Sequence, residues 1–81
     1  MTDDEIMERI ERLVGEEHDL ERRGEEEGGL QPSEHARFQE VGVSLDRLWD
    51  LLRQRRARRR AGLDPDDATL RDSGTVEDYL Q

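Results

Sequence analysis

The sequence predicts an all-α protein: an antiparallel two-helix hairpin with an extended C-terminal arm, dimerising into a four-helix bundle. Three observations carry this expectation. Apolar residues recur at steps of three and four along two long stretches, as they do on a helix with one buried face. A polar, glycine-rich connector, Gly24-Glu25-Glu26-Glu27-Gly28-Gly29, separates the stretches. Helix start and stop signals stand at the expected places.

The first helix is expected over about residues 3–23. Thr2 and Glu5 have capping-box spacing, and the acids of the first turn suit the positive end of the helix dipole. Ile6, Ile10, Leu13, Glu17 and Leu20 make the buried stripe, widened by Met7 and Val14. Arg22 and Arg23 favour the C-terminal end, and Gly24 reads as the stop.

The second helix is expected over about residues 32–61, with Pro32 in its first turn, where the missing N–H is tolerated. Phe38, Val41, Leu45, Leu48 and Leu52 form its stripe, and Gly42 lies within the helix. The stripe runs into Arg53-Gln54-Arg55-Arg56-Ala57-Arg58-Arg59-Arg60, and Gly62 with Asp64-Pro65 closes the helix. Equal distances from the connector let the first helix cover the second only as far as about Arg53, so the arginine segment is expected to protrude by about one to two turns. Residues 1–62 thus form the hairpin and residues 63–81 an acidic arm. Val76, Tyr79 and Leu80 at its end are expected to dock, in extended form, on a helical surface.

The hairpin carries more apolar side chains than one partner helix would cover: Met7, Val14, Trp49 and Leu51 flank the stripes. Burial of so few residues falls short of offsetting the ordering of two helices, and self-association is the expected remedy. Leu45, Leu48, Trp49 and Leu52 are the expected interface residues.

Composition narrows the function. The 81 residues suffice for one small domain, and with 31% hydrophobic and 43% charged residues a large core is ruled out. Cysteine is absent, which removes disulfides and thiolate sites. No apolar run is long enough to span a bilayer, and the acidic start is unlike a signal peptide, so a cytoplasmic protein without a membrane partner is expected. All 13 basic residues are Arg, and the net charge is −9, a sign that opposes nucleic-acid binding over most of the surface.

The chain also resembles a family. Glu16-Glu17-His18, Glu34-His35-Ala36-Arg37, the tract from Leu45 to Ala57 (LDRLWDLLRQRRA), Asp64-Pro65-Asp66 and Val76-Glu77-Asp78-Tyr79-Leu80-Gln81 are similar to small actinobacterial proteins grouped as domain-of-unknown-function family 2630, over nearly the whole chain. The resemblance implies an actinobacterial, cytoplasmic protein and brings no activity, substrate or partner with it.

Candidate sites follow from residue chemistry. Arg53, Arg55, Arg56, Arg58, Arg59 and Arg60 present paired donors suited to phosphate oxygens or to an acidic protein partner. Against this stands internal pairing with Asp3, Asp4, Glu5 and Glu8, or with Asp64, Asp66 and Asp67. His18 and His35 lie at similar distances from the connector and, with Glu17, are candidate metal ligands. No Glu-x-x-His repeat accompanies them, so no metal and no cofactor is expected. Glu17 is expected either to pair with Arg37 or His35 across the hairpin or to be solvated. Asp46 and Asp50 could pair with Arg53 and Arg47 along the helix. Ser33, Ser44 and Ser73 lack a partnering base, and two short helices are expected to form no pocket, so catalysis is not expected. The leading expectation is a non-enzymatic, self-associating interaction or scaffold protein, a homodimer. The alternatives are a nucleic-acid-associated regulator using the arginine-rich helix end, and a His/carboxylate metal-binding module.

Overall fold

Thr2 opens the first helix in the predicted manner. Its Oγ1 accepts from the Glu5 N–H at 3.2 Å, and the Glu5 carboxylate accepts from the Thr2 N–H at 3.3 Å. The structure, a computed structural model, describes the backbone of residues 1–80 and the surroundings of the side chains through Asp78. It contains α1 (Asp3–Glu27), α2 (Pro32–Arg60), a 3₁₀ turn (Pro65–Asp67) and α3 (Ser73–Leu80). No strand occurs among the described residues.

Helix α1 runs four residues beyond the expected end. Gly24 lies inside it, and the helix stops at Gly28, whose φ of 73° is left-handed. The Gly29 N–H reaches back to the Gly24 carbonyl at 2.7 Å, the six-to-one bond of a Schellman ending. One glycine in an otherwise helical run is tolerated; two adjacent glycines able to take positive φ end it more effectively. Helix α2 begins with Pro32 in its first turn and the Gln31 N–H bonded to Glu34 Oε1 at 3.1 Å. It ends through a second six-to-one bond, from the Leu63 N–H to the Arg58 carbonyl at 2.8 Å.

The α1–α2 hairpin buries the predicted stripes against each other. Ile6 and Ile10 of α1 meet Val41, Leu45, Leu48, Leu51 and Leu52 of α2, with Met7, Leu13 and Val14 packed at the margin. A longer α1 and a short connection also shift the pairing. The start of α1 reaches Arg55 and Arg59, so the arginine segment is flanked by α1 and the arm rather than protruding.

The arm differs most from expectation. It crosses back along α2, makes the 3₁₀ turn beside the end of that helix, and finishes as α3, not as an extended segment. The local cause is Asp72, whose carboxylate accepts from the Thr75 N–H and hydroxyl, both at 2.9 Å, an N-terminal cap. Val76 is fully buried, so this part of the tail docks as expected. The side chains of Tyr79 and Leu80 lie outside the described residues, as does Gln81.

Leu51 lies one turn before Arg55 and two turns before Arg58, on the side of α2 that meets the 3₁₀ turn, and Ala68 of the arm packs against the same cluster. The arm therefore supplies part of the cover that the sequence suggested a second copy would provide.

Candidate functional site

The arginine segment divides into two sets by helix phase. Arg55, Arg58 and Arg59 turn inward. Arg55 is only 5% exposed. Its Nε donates to Asp3 Oδ1 at 2.6 Å, and its Nη1 donates to Asp66 Oδ1 at 3.0 Å and to the Pro65 carbonyl at 3.2 Å. Arg59 pairs with the same Asp3 oxygen at 2.8 Å. Arg58 donates from Nε to the Asp64 carbonyl at 2.6 Å and lies 3.5 Å from Asp67. Hydrogen bonds from Arg59 and Arg55 hold the Asp3 carboxyl down at about 2. Three guanidiniums thus fasten the start of α1 and the 3₁₀ turn to the end of α2.

Arg53, Arg56 and Arg60 face outward and are exposed. Arg56 and Arg60 have no ion-pair partner among the described residues. Steps of four, three and four residues connect Trp49, Arg53, Arg56 and Arg60 into one stripe along the outer flank of α2. Seven residues before Trp49 on that flank stands Gly42, where an added Cβ would meet nothing within 4 Å. Trp49 is 38% exposed, whereas Leu45, Leu48 and Leu52 are buried inside the chain by α1 and the neighbouring turns. Of the four expected interface residues, Trp49 alone reaches the surface.

Both histidines are exposed, and no group of three or more metal-ligating side chains gathers among the described residues. The link across the hairpin is made by Glu16, not Glu17: Arg37 donates from Nε and Nη2 to the two Glu16 oxygens, a bidentate pair. Glu17 is half-buried. Asp50 is buried and accepts from Gln54 Nε2 at 2.9 Å, with Arg71 of the arm 3.6 Å away. Asp46 faces Glu77 of α3. The interaction with Asp46, with a further contribution from burial, pushes the Glu77 carboxyl up, and Glu77 Oε1 is buried with no hydrogen-bond partner among the described residues.

A groove of about 490 Å³ opens on the opposite flank, between α1, α2 and the arm. Arg9, Arg12, Arg37 and Arg47 line it together with Leu13, Leu48 and Leu70. Two short helices seldom form a pocket, and here the arm supplies a third wall. One signal is present in the sequence: Arg9 and Arg12, three apart, recur on one side of the apolar stripe. Nothing in the sequence placed them against Arg37, Arg47 and a leucine 58 positions after Arg12.

Residues 2–81 match the family described as "Protein of unknown function (DUF2630)". The chain is similar to an uncharacterized protein of Mycobacterium bovis and to uncharacterized proteins of two strains of Mycobacterium tuberculosis. Each is 40% identical over 78 residues, which cover 96% of this chain and 90% of the relative. No solved structure matches. No helix among the described residues is long and apolar enough to cross a membrane.

Proposed function

We propose that this chain, which belongs to the DUF2630 family, is a non-enzymatic interaction protein that self-associates through the outer flank of its hairpin. The observation that carries the reading is Trp49, a large aromatic ring left 38% exposed on the flank the arm does not cover. Met7 and Val14 of α1, seven residues apart and half-buried, extend the same apolar surface. The Gly42 backbone beside them leaves room for a second helix to approach closely.

Charge supports a second copy as the occupant. Continuing the Met7–Val14 line by seven residues reaches Glu21, with Glu25 one turn on, so the flank is acidic at the loop end. At the other end it carries Arg56 and Arg60. A twofold axis through Trp49 would set the acidic end of each copy against the basic end of the other, a self-complementary surface.

Sedimentation equilibrium over a concentration range tests this. Wild type is expected to be a dimer, and Trp49→Glu to be monomeric with its helical circular dichroism retained. A wild type that stays monomeric at every concentration, or a Trp49→Glu variant that dimerises as tightly as wild type, overturns the reading.

A further inference from the structure

Arg9 and Arg12 pose a problem that self-association does not address. The chain has 22 acids to 13 arginines, yet neither side chain has a hydrogen bond or ion pair among the described residues. Both line the groove between α1, α2 and the arm. Across it lie Arg47 and Arg37, the latter paired with Glu16 and Glu40, so four arginines line one opening. The single lining carboxylate, Glu16, is taken up by both of its oxygens in the pair with Arg37. The lining thus holds more arginines than carboxylates, against the acidic balance of the chain.

Its floor is apolar and its wall is fixed. Leu48 is buried and Leu13 half-buried beneath the arginines. Leu70 projects at the lip, 42% exposed, on a stretch without regular structure. That stretch is pinned on both sides of it: Gln54 Nε2 donates to the Thr69 carbonyl and Arg47 Nε to the Arg71 carbonyl, each at 2.8 Å. Two α2 side chains thus hold the backbone around a leucine that the core does not use. Ser44 adds a hydroxyl between Arg37 and Arg47. The volume lies in the range of small-molecule sites, which combine an apolar lining with a few convergent polar groups.

We propose that this groove binds a small amphipathic organic phosphate, with its apolar body against Leu13, Leu48 and Leu70 and its phosphate between Arg9, Arg12 and Arg47. Guanidinium donors match phosphate oxygens in pairs, and the leucines select against inorganic phosphate. The site lies on the flank opposite Trp49, so it does not depend on self-association.

The probe is n-hexyl phosphate, titrated into the full-length protein by calorimetry and by amide NMR. Saturable binding is expected, with shifts at Leu13, Ser44 and Leu70, at least tenfold tighter than inorganic phosphate and without response to hexanol. Arg9→Gln with Arg12→Gln should weaken it at least tenfold. Both positions are exposed and unpaired, so that variant is expected to keep the wild-type melting curve, and Leu70→Ser provides a second variant that weakens hexyl phosphate but not inorganic phosphate. Absence of saturation, full affinity in both variants, or shifts confined to Arg56 and Arg60 overturns the proposal.

Discussion

Arg55 Nε lies 2.6 Å from Asp3 Oδ1, joining the first turn of α1 to the last turns of α2. Asp66 and the Pro65 carbonyl complete the guanidinium's partners from the arm. Three separate parts of the chain therefore close on one buried cation. Its burial is tolerable only because each partner is in place, since an uncompensated buried charge is costly. Asp3→Asn removes the charged partner while leaving the shape, and is expected to cost about 2 kcal/mol in urea unfolding. Arg59→Ala deletes the more exposed pairing with the same oxygen and should cost less than about 1 kcal/mol. A variant Asp3→Asn as stable as wild type would show that Arg55 is held sufficiently by the arm alone.

Acid should expose the same contact. The folded Asp3 carboxyl titrates at about 2, below its ordinary value of 3.8. A carboxyl depressed by folding contributes stability that is fully present above its unfolded value and is lost as pH falls through the folded one. The window is therefore between about pH 4 and pH 2. Melting curves across that window should fall less steeply for Asp3→Asn than for wild type, and the two should differ most in stability above it. Parallel curves would separate the Asp3 contact from acid unfolding.

Glu77 works in the opposite sense. Its carboxyl is raised, first by the interaction with Asp46 across the α2–α3 contact and then by burial. A raised carboxyl favours the fold below its unfolded value, and that contribution disappears as pH rises through the folded one. Above that point two carboxylates face each other under α3. Glu77→Gln should therefore protect the α3 amides from hydrogen exchange more than wild type does near neutral pH. The difference should shrink as the solution is acidified toward the ordinary carboxylate range. Equal protection at neutral pH would show that the Glu77–Asp46 contact does not weaken α3.

Much of the hairpin was legible because its signals are local or periodic. Thr2 with Glu5, Pro32, and the stripes from Ile6 and from Val41 depend only on residues within a turn or two of each other. The arm was less legible. Its final helix depends on Asp72 capping Thr75, a short signal in a tail whose composition suggests loops. Its path along α2 depends on Gln54 and Arg47 reaching carbonyls 15 and 24 residues away, contacts that no periodicity encodes. The arginine segment was legible as charge but not as function. Which guanidiniums turn inward follows from helix phase, but whether Asp3 reaches them depends on the length of α1, which continues four residues past Arg23 through Gly24. The groove was missed because it needs the arm in place before Arg9 and Arg12 have anything opposite them.

The two glycines Gly24 and Gly28 test where α1 ends. Gly24 has helical neighbours on both sides, and an added Cβ would come no closer than 3.4 Å to the flexible end of Leu30. Alanine there removes the entropy penalty of a mid-helix glycine, so Gly24→Ala should stabilise the protein by about 0.5–1 kcal/mol. Gly28 has open space around it but a φ of 73°, where a side chain crowds its own backbone. Gly28→Ala should therefore destabilise by about 1 kcal/mol despite meeting no neighbour. Opposite signs in the two melting temperatures would confirm that the helix passes through the first glycine and ends at the second. If Gly24→Ala destabilises and Gly28→Ala is neutral, α1 ends at Gly24, and its register against Arg55 must shift accordingly.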